Sequence, residues 1–91
     1  MNFKKEELLK EVIRYVGFNP YDNDECLKAV KQDGTVLRYV RNQTPEICLE
    51  AVRQNGRTLQ FIIEQTPEIC LKAVKQDGYA LIYVKDLDML L

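Results

Sequence analysis

The 91-residue chain contains no histidine, no serine and no tryptophan. Because histidine is the commonest general base and a common metal ligand, its absence removes two frequent kinds of active site at once. The remaining nucleophile candidates are cysteine and threonine side chains that recur in the sequence and have structural explanations. We therefore expect a protein that is not an enzyme and that needs neither a cofactor nor a bound metal.

An excess of charge of one sign is also missing. The chain has 13 Lys and Arg side chains and 14 Asp and Glu side chains, for a net charge of −1. A balanced chain offers no long-range field for nucleic acid or for a membrane surface. No apolar run approaches the roughly 20 residues that span a bilayer, and the charged N-terminus lacks the apolar core of a signal peptide. These features predict a cytoplasmic protein with no membrane partner, and they disfavour nucleic acid.

A 22-residue repeat is the main positive feature of the sequence. Cys26, Cys48 and Cys70 are spaced by this period, and so are the glycines at 34, 56 and 78. Residues 43–62 and 65–84 are identical at 12 of 20 positions. A fixed period of this size predicts a stack of small supersecondary units, each of which buries its apolar face on the next.

One unit, taken from Thr44, predicts two short helices. Thr44 is a suitable N-cap, and Pro45 fits the first helical position, where no N–H is needed. An apolar stripe at helical spacing follows. Its members are Ile47, Cys48, Ala51 and Val52. We expect Gly56 to end this helix in the left-handed conformation, and residues 57–63 to form a second helix of about seven residues.

The two ends of the chain differ from the repeats. Residues 1–16 predict a capping helix with an apolar inner side, and the first repeat opens on a capping box from Asp22 to Glu25. The inner side would contain Phe3, Leu8, Leu9, Val12 and Ile13. The complete prediction is one all-α domain, an α-solenoid-like stack of repeats at 22–42, 43–64 and 65–85 with a tail at 86–91. The apolar tail predicts a monomer or a weak homo-oligomer through the C-terminal end.

A family resemblance rests on the segment that precedes each repeated glycine. It reads Ala-Val-Lys-Gln-Asp-Gly at 29–34, Ala-Val-Arg-Gln-Asn-Gly at 51–56, and Ala-Val-Lys-Gln-Asp-Gly again at 73–78. This pattern resembles the short helical repeats of bacterial and viral proteins in the domain-of-unknown-function family 4116, over about residues 20–90. The resemblance implies an all-helical repeat and transfers no catalytic residue.

The repeated cysteines allow two interpretations. Equivalent atoms of packed helices lie about 8–10 Å apart, whereas a disulfide requires Cα atoms within about 7 Å and zinc requires sulfur atoms about 2.3 Å away. We therefore expect small buried apolar side chains, with a reactive or metal-bound thiol as the alternative. The glycines are isolated and do not form a phosphate-binding loop.

Stacking would place equivalent exposed residues in columns. Lys31, Arg53 and Lys75 form a basic column, which is either a solvated helix flank or a positive stripe that binds an acidic partner. The glutamines at 32, 54 and 76 form another column, which favours a buried or shared amide ladder, with bonds across repeats or a cap on a neighbouring carbonyl as the alternatives.

Two aromatic residues lie in the non-repeating loop between the N-terminal helix and the first repeat. Phe18 and Tyr21 would anchor a partner if exposed, whereas the alternative is that one of them plugs the core. We predict a protein–protein interaction module with Lys31, Arg53, Lys75, Phe18 and Tyr21 as contact residues. The alternatives are a nucleic-acid-binding repeat and a small regulator or inhibitor of a larger protein.

Overall fold

A computed structural model describes residues 4–90 as an all-α chain with no strand among these residues. An N-terminal helix, α1 (Lys5–Val16), precedes three copies of an α-helix followed by a 3₁₀ helix. These are α2 (Asn23–Gln32) with η1 (Gly34–Tyr39), α3 (Pro45–Gln54) with η2 (Gly56–Phe61), and α4 (Pro67–Gln76) with η3 (Gly78–Tyr83). A last 3₁₀ turn, η4 (Leu87–Leu90), packs on α4. The prediction of an all-α repeat fold is confirmed.

Each repeated α-helix begins at a side-chain cap. Thr44 accepts the backbone N–H of Ile47, and Thr66 accepts that of Ile69, both at 3.2 Å. Asp22 likewise accepts the N–H of Glu25 at 2.9 Å, but the Glu25 carboxylate accepts from Asn19 instead of completing the capping box. These caps satisfy N–H groups that have no partner within the helix.

The ends of the α-helices differ from the prediction. Each helix ends at an extended Asp or Asn with φ near −150°, at positions 33, 55 and 77. The side chain of this residue accepts the N–H two residues later, as Asn55 does from Arg57 at 3.0 Å, and so starts a 3₁₀ helix. The prediction of left-handed repeat glycines was wrong, because Gly17 at φ 90° is the glycine with positive φ within residues 4–90.

The core runs through the stack as one continuous cluster. Every repeated α-helix contributes its cysteine, and Cys26, Cys48 and Cys70 are all buried and free. The 3₁₀ helices contribute Leu37 and Leu59, neither of which has any exposed surface. Neighbouring α-helices pack side by side, with the 3₁₀ helices packed alongside them, in a body of 48 × 27 × 18 Å. Burial of short helices on their neighbours explains why they form, since isolated helices of this length are marginal.

The repeated glycines provide clearance between repeats. A Cβ added to Gly34 would lie 3.2 Å from the carbonyl oxygen of Ala51, and one added to Gly56 would overlap the carbonyl of Ala73. In both cases the obstructing backbone belongs to the α-helix of the next repeat. Glycine is therefore required at position 56 and favoured at position 34 by close packing and not by backbone conformation.

Glutamine side chains join the repeats at the same place. Gln54 accepts the N–H of Gly34 at 3.1 Å and donates to the carbonyl of Val30 at 2.7 Å. Gln76 accepts the N–H of Gly56 and donates to the carbonyl of Gln54 at 3.3 Å. The glutamine column thus bonds across repeats to backbone groups, which was the alternative interpretation, and the favoured prediction of an amide ladder was wrong.

A second pair of glutamines bonds to the end of the 3₁₀ helix of its own repeat. Gln43 donates to the carbonyl of Phe61 at 2.8 Å and accepts the N–H of Ile63 at 3.0 Å. Gln65 makes the equivalent bonds to Tyr83 and Lys85, both at 2.9 Å. Gln43 and Gln65 therefore satisfy backbone groups at the end of the 3₁₀ helix of their own repeats, while Gln54 and Gln76 bond across the interior junctions.

The N-terminal helix does not cap the core as expected. None of the residues of α1 is buried, and Leu8 and Val12 on its apolar side are 53% and 42% exposed. Phe3, which was predicted to belong to this side, lies outside the described residues. The sequence of α1 is therefore amphipathic, but the rest of the described chain covers its apolar side only in part.

Candidate functional site

One concave feature is a groove between α3 and α4 with a volume of about 490 Å³. Leu49 supplies apolar surface to it, and charged side chains supply the rest. The lining residues are Leu49, Glu50, Arg53, Glu68, Lys72, Lys75 and Gln76. The groove follows from the repeat itself, because the outer faces of two parallel neighbouring helices leave a furrow between them.

Charge within the groove is unevenly paired. Arg53 makes an ion pair with Glu50 at 2.6 Å, one helical turn away on α3. Lys72 and Lys75 on α4 are exposed and have no ion-pair partner within residues 4–90. Two lysine ammonium groups are therefore available to a ligand beside the apolar surface of Leu49.

The predicted basic column is only partly assembled. Arg53 and Lys75 line the same groove, whereas Lys31 lies exposed in the last turn of α2, one repeat away, and is not part of its lining. Since Arg53 is also neutralised by Glu50, the column is not a uniform positive stripe. The groove residues Lys72 and Glu68 were not among the predicted contact residues, although Lys72 occupies the position of Lys28 and Glu50 in the other repeats.

The two loop aromatics have different environments. Phe18 is 6% exposed and belongs to the core, so it plugs the N-terminal end of the stack and is not available as a contact residue. Tyr21 is 61% exposed and lines a second cavity, of about 460 Å³, with Lys5, Leu8 and Leu9 of α1. Tyr21 thus remains a candidate contact, in an apolar patch that the sequence did not indicate.

The thiols are inert in this structure. Burial raises the pKa of the Cys48 thiol to about 11, and burial also raises the pKa values of Cys26 and Cys70. A thiol is a nucleophile or metal ligand only as the thiolate, so these groups stay protonated at neutral pH. Within the described part of the chain, no cluster of three or more Cys, Asp or Glu side chains is arranged to hold a metal ion.

Comparison with known proteins identifies the repeat. The family model described as "Domain of unknown function (DUF4116)" matches residues 23–66 and again residues 44–87. The chain belongs to this family. The two matches overlap by one repeat, which agrees with the stack of three units in the structure. No curated protein and no solved structure matches the chain.

No helix within residues 4–90 has the length and apolar character needed to cross a membrane.

Proposed function

We propose that this DUF4116 protein is a protein-interaction module without catalytic activity, and that the groove between α3 and α4 binds an extended segment of a partner protein. The observation that supports the proposal most directly is the combination in one groove of apolar surface from Leu49 with the unpaired ammonium groups of Lys72 and Lys75. Such a site suits a peptide that places an apolar side chain on Leu49 and acidic side chains toward the two lysines.

The architecture supports this role. The three repeats form a rod-like body whose core is continuous, so the outer faces of the α-helices are held rigidly and present their side chains at a regular spacing. A preformed surface loses little conformational entropy when it binds a flexible segment. We also propose a cytoplasmic location, since three free, buried thiols are compatible with a reducing compartment.

Nucleic acid is the less favoured ligand for this groove. Phosphate binding requires an excess of cations, but Glu50 and Glu68 line the same groove and Glu50 already neutralises Arg53. A nucleic-acid ligand would show a steep loss of affinity with salt, and single- and double-stranded DNA and RNA at low salt are the probes that test it.

The experiment is selection of a displayed random-peptide library on the immobilised chain. We expect enriched peptides that combine an apolar residue with acidic neighbours, and at least tenfold weaker binding of these peptides to the double variant Lys72→Glu/Lys75→Glu. The matched control is Lys4→Glu/Lys10→Glu, which changes the net charge equally at exposed positions outside the groove.

Three outcomes would overturn the proposal. One is selection that yields no enriched peptide, and another is equal binding of the enriched peptides to the groove variant and the wild type. Weaker binding to both double variants would indicate a general charge effect and would also contradict the groove as the site.

A further inference from the structure

The two interior junctions of the stack use the same set of groups. In each, the glycine at the start of a 3₁₀ helix lies against the carbonyl of an alanine on the next α-helix, and its N–H is accepted by a glutamine three residues after that alanine. Gly34 is held in this way by Ala51 and Gln54. Gly56 is held in the same way by Ala73 and Gln76.

The C-terminal end of the stack has the glycine of this junction, but no described α-helix follows to supply the alanine and the glutamine. A Cβ added to Gly78 would meet nothing within 4 Å, and the N–H of Gly78 has no acceptor within residues 4–90. Leu81 is 46% exposed, although the equivalent residues Leu37 and Leu59 are fully buried. The tail turn η4 packs on α4 but leaves this part of the end uncovered.

The alanine and the glutamine of such a junction are also present at the other end of the molecule, next to Phe18, which closes that end of the core. On α2, Ala29 and Gln32 have the same spacing as the alanine and glutamine of α3 and α4. Ala29 is half-buried and lines a cavity of about 240 Å³ beside Phe18. The exposed side chain of Gln32 makes no hydrogen bond to any described residue, and α1 buries none of its own residues there.

We propose that the C-terminal end of one copy of this chain docks α2 of a second copy, head to tail. Gln32 of the second copy accepts the N–H of Gly78, as Gln54 and Gln76 do for the interior glycines. The close approach of the helix carrying Ala29 covers Leu81, which then has the environment of its interior equivalents. The interface repeats the packing that already holds the stack together, and it does not depend on the groove between α3 and α4.

The geometry of this contact predicts how assembly proceeds. A head-to-tail interface uses two different surfaces, so each added copy leaves one of each surface free. Assembly therefore continues past the dimer as the concentration rises, unless the rotation between copies closes a ring. A symmetric dimer would instead stop at two copies.

The first experiment measures mass by sedimentation velocity from about 10 μM to about 1 mM, a range in which a weak interface is populated. We expect the average mass of the wild type to rise with concentration. Gly78→Leu should block the C-terminal end and Ala29→Arg should block α2, so each variant alone should remain a monomer. Gln32→Ala should weaken association at least tenfold. Unchanged circular dichroism and melting of each variant at low concentration serve as the folding control.

The second experiment mixes the two blocked variants in equal amounts. Gly78→Leu retains an intact α2, and Ala29→Arg retains an intact C-terminal end, so the mixture should form a one-to-one dimer and nothing larger. Leu8→Ser on α1 is the matched control and should associate like the wild type.

Several results would overturn the proposal. A wild type that stays monomeric throughout the concentration range excludes the interface. Blocked variants that fail to complement each other indicate a symmetric contact. Loss of association in Leu8→Ser, with association retained in Gly78→Leu, assigns the contact to α1.

Discussion

The junction between the second and third repeats and the C-terminal end of the third repeat present the same glycine in two environments. Gly56 is pressed against the carbonyl of Ala73 and its N–H is bonded to Gln76, whereas Gly78 has open space and no bonded acceptor within residues 4–90. The local backbone is nearly identical, since Asn55 and Asp77 before the two glycines have the same φ of −150°. The difference shows that the following α-helix, and not the turn, is what makes glycine necessary.

The largest expected difference between the two regions concerns their equivalent leucines. Leu59→Ala removes a side chain with no exposed surface and should reduce the free energy of unfolding by about 3 kcal/mol. Leu81→Ala removes one that is 46% exposed and should cost about 1 kcal/mol. Urea unfolding at low protein concentration measures both. Equal costs would show that the C-terminal end is as well packed as the interior.

The glycines themselves give the next largest difference. Gly56→Ala should cost about 2–3 kcal/mol, because its Cβ overlaps backbone that cannot rotate away. Gly78→Ala should lie within about 0.5 kcal/mol of the wild type, since φ is not positive and the space is open. Gly34→Ala, with its contact at 3.2 Å, should lie between them. Thermal and urea unfolding rank the three variants by their loss of stability. Any other ranking would contradict close packing as the reason for glycine at these positions.

The sequence alone was sufficient to predict those features of the fold that depend on local spacing and side-chain chemistry. The caps at Thr44 and Thr66 and the burial of the cysteines follow from spacing and side-chain chemistry, and the structure contains all of them. The role of the glycines did not follow, because a left-handed turn and a close packing contact both require glycine and give the same sequence pattern. Gln43 and Gln65 were also missed, although their identity at one repeat's spacing was a usable signal.

The candidate site was less accessible to sequence reasoning. Equivalent positions such as Lys31 and Lys75 form a column in any repeat stack, but the pairing of Arg53 with Glu50 depends on side-chain geometry that no periodicity encodes. The environment of Phe18 was equally undetermined, because its loop has no counterpart in the repeats. An amphipathic helix such as α1 indicates that a surface is apolar without indicating what covers it.

A smaller difference is expected between the first and last glutamines of the column. Gln76→Ala leaves the buried N–H of Gly56 without its acceptor and should cost about 1–2 kcal/mol. Gln32→Ala removes an exposed side chain that makes no hydrogen bond in the described monomer and should change stability by less than about 0.5 kcal/mol. The comparison is made by urea unfolding, and similar costs would contradict the assigned bonding.

The smallest effect concerns pH. A hydrogen bond from Arg57, followed by one from the N–H of Tyr79, lowers the pKa of Asp77 below its ordinary value. A carboxylate with a lowered folded-state pKa stabilises the fold above its unfolded pKa of about 4, and this contribution is lost as the pH falls through the folded value.

Asp77→Asn should therefore reduce the fall in stability on acidification, measured as urea midpoints from about pH 5 to about pH 2. Asn55 performs the same capping in the middle repeat, so the variant should keep the cap and lose only the charge. An unchanged dependence on pH would show that Asp77 does not titrate differently in the folded protein.

Amide hydrogen exchange on the monomeric wild type tests the central comparison without any substitution. The N–H groups of Gly34 and Gly56 are bonded to glutamines of the following helices, and that of Gly78 is not bonded to any described residue. We predict slow exchange at Gly34 and Gly56 and fast exchange at Gly78 at low concentration. Equal protection of all three amides would contradict the account of the repeat glycine as one half of a junction between neighbouring helices.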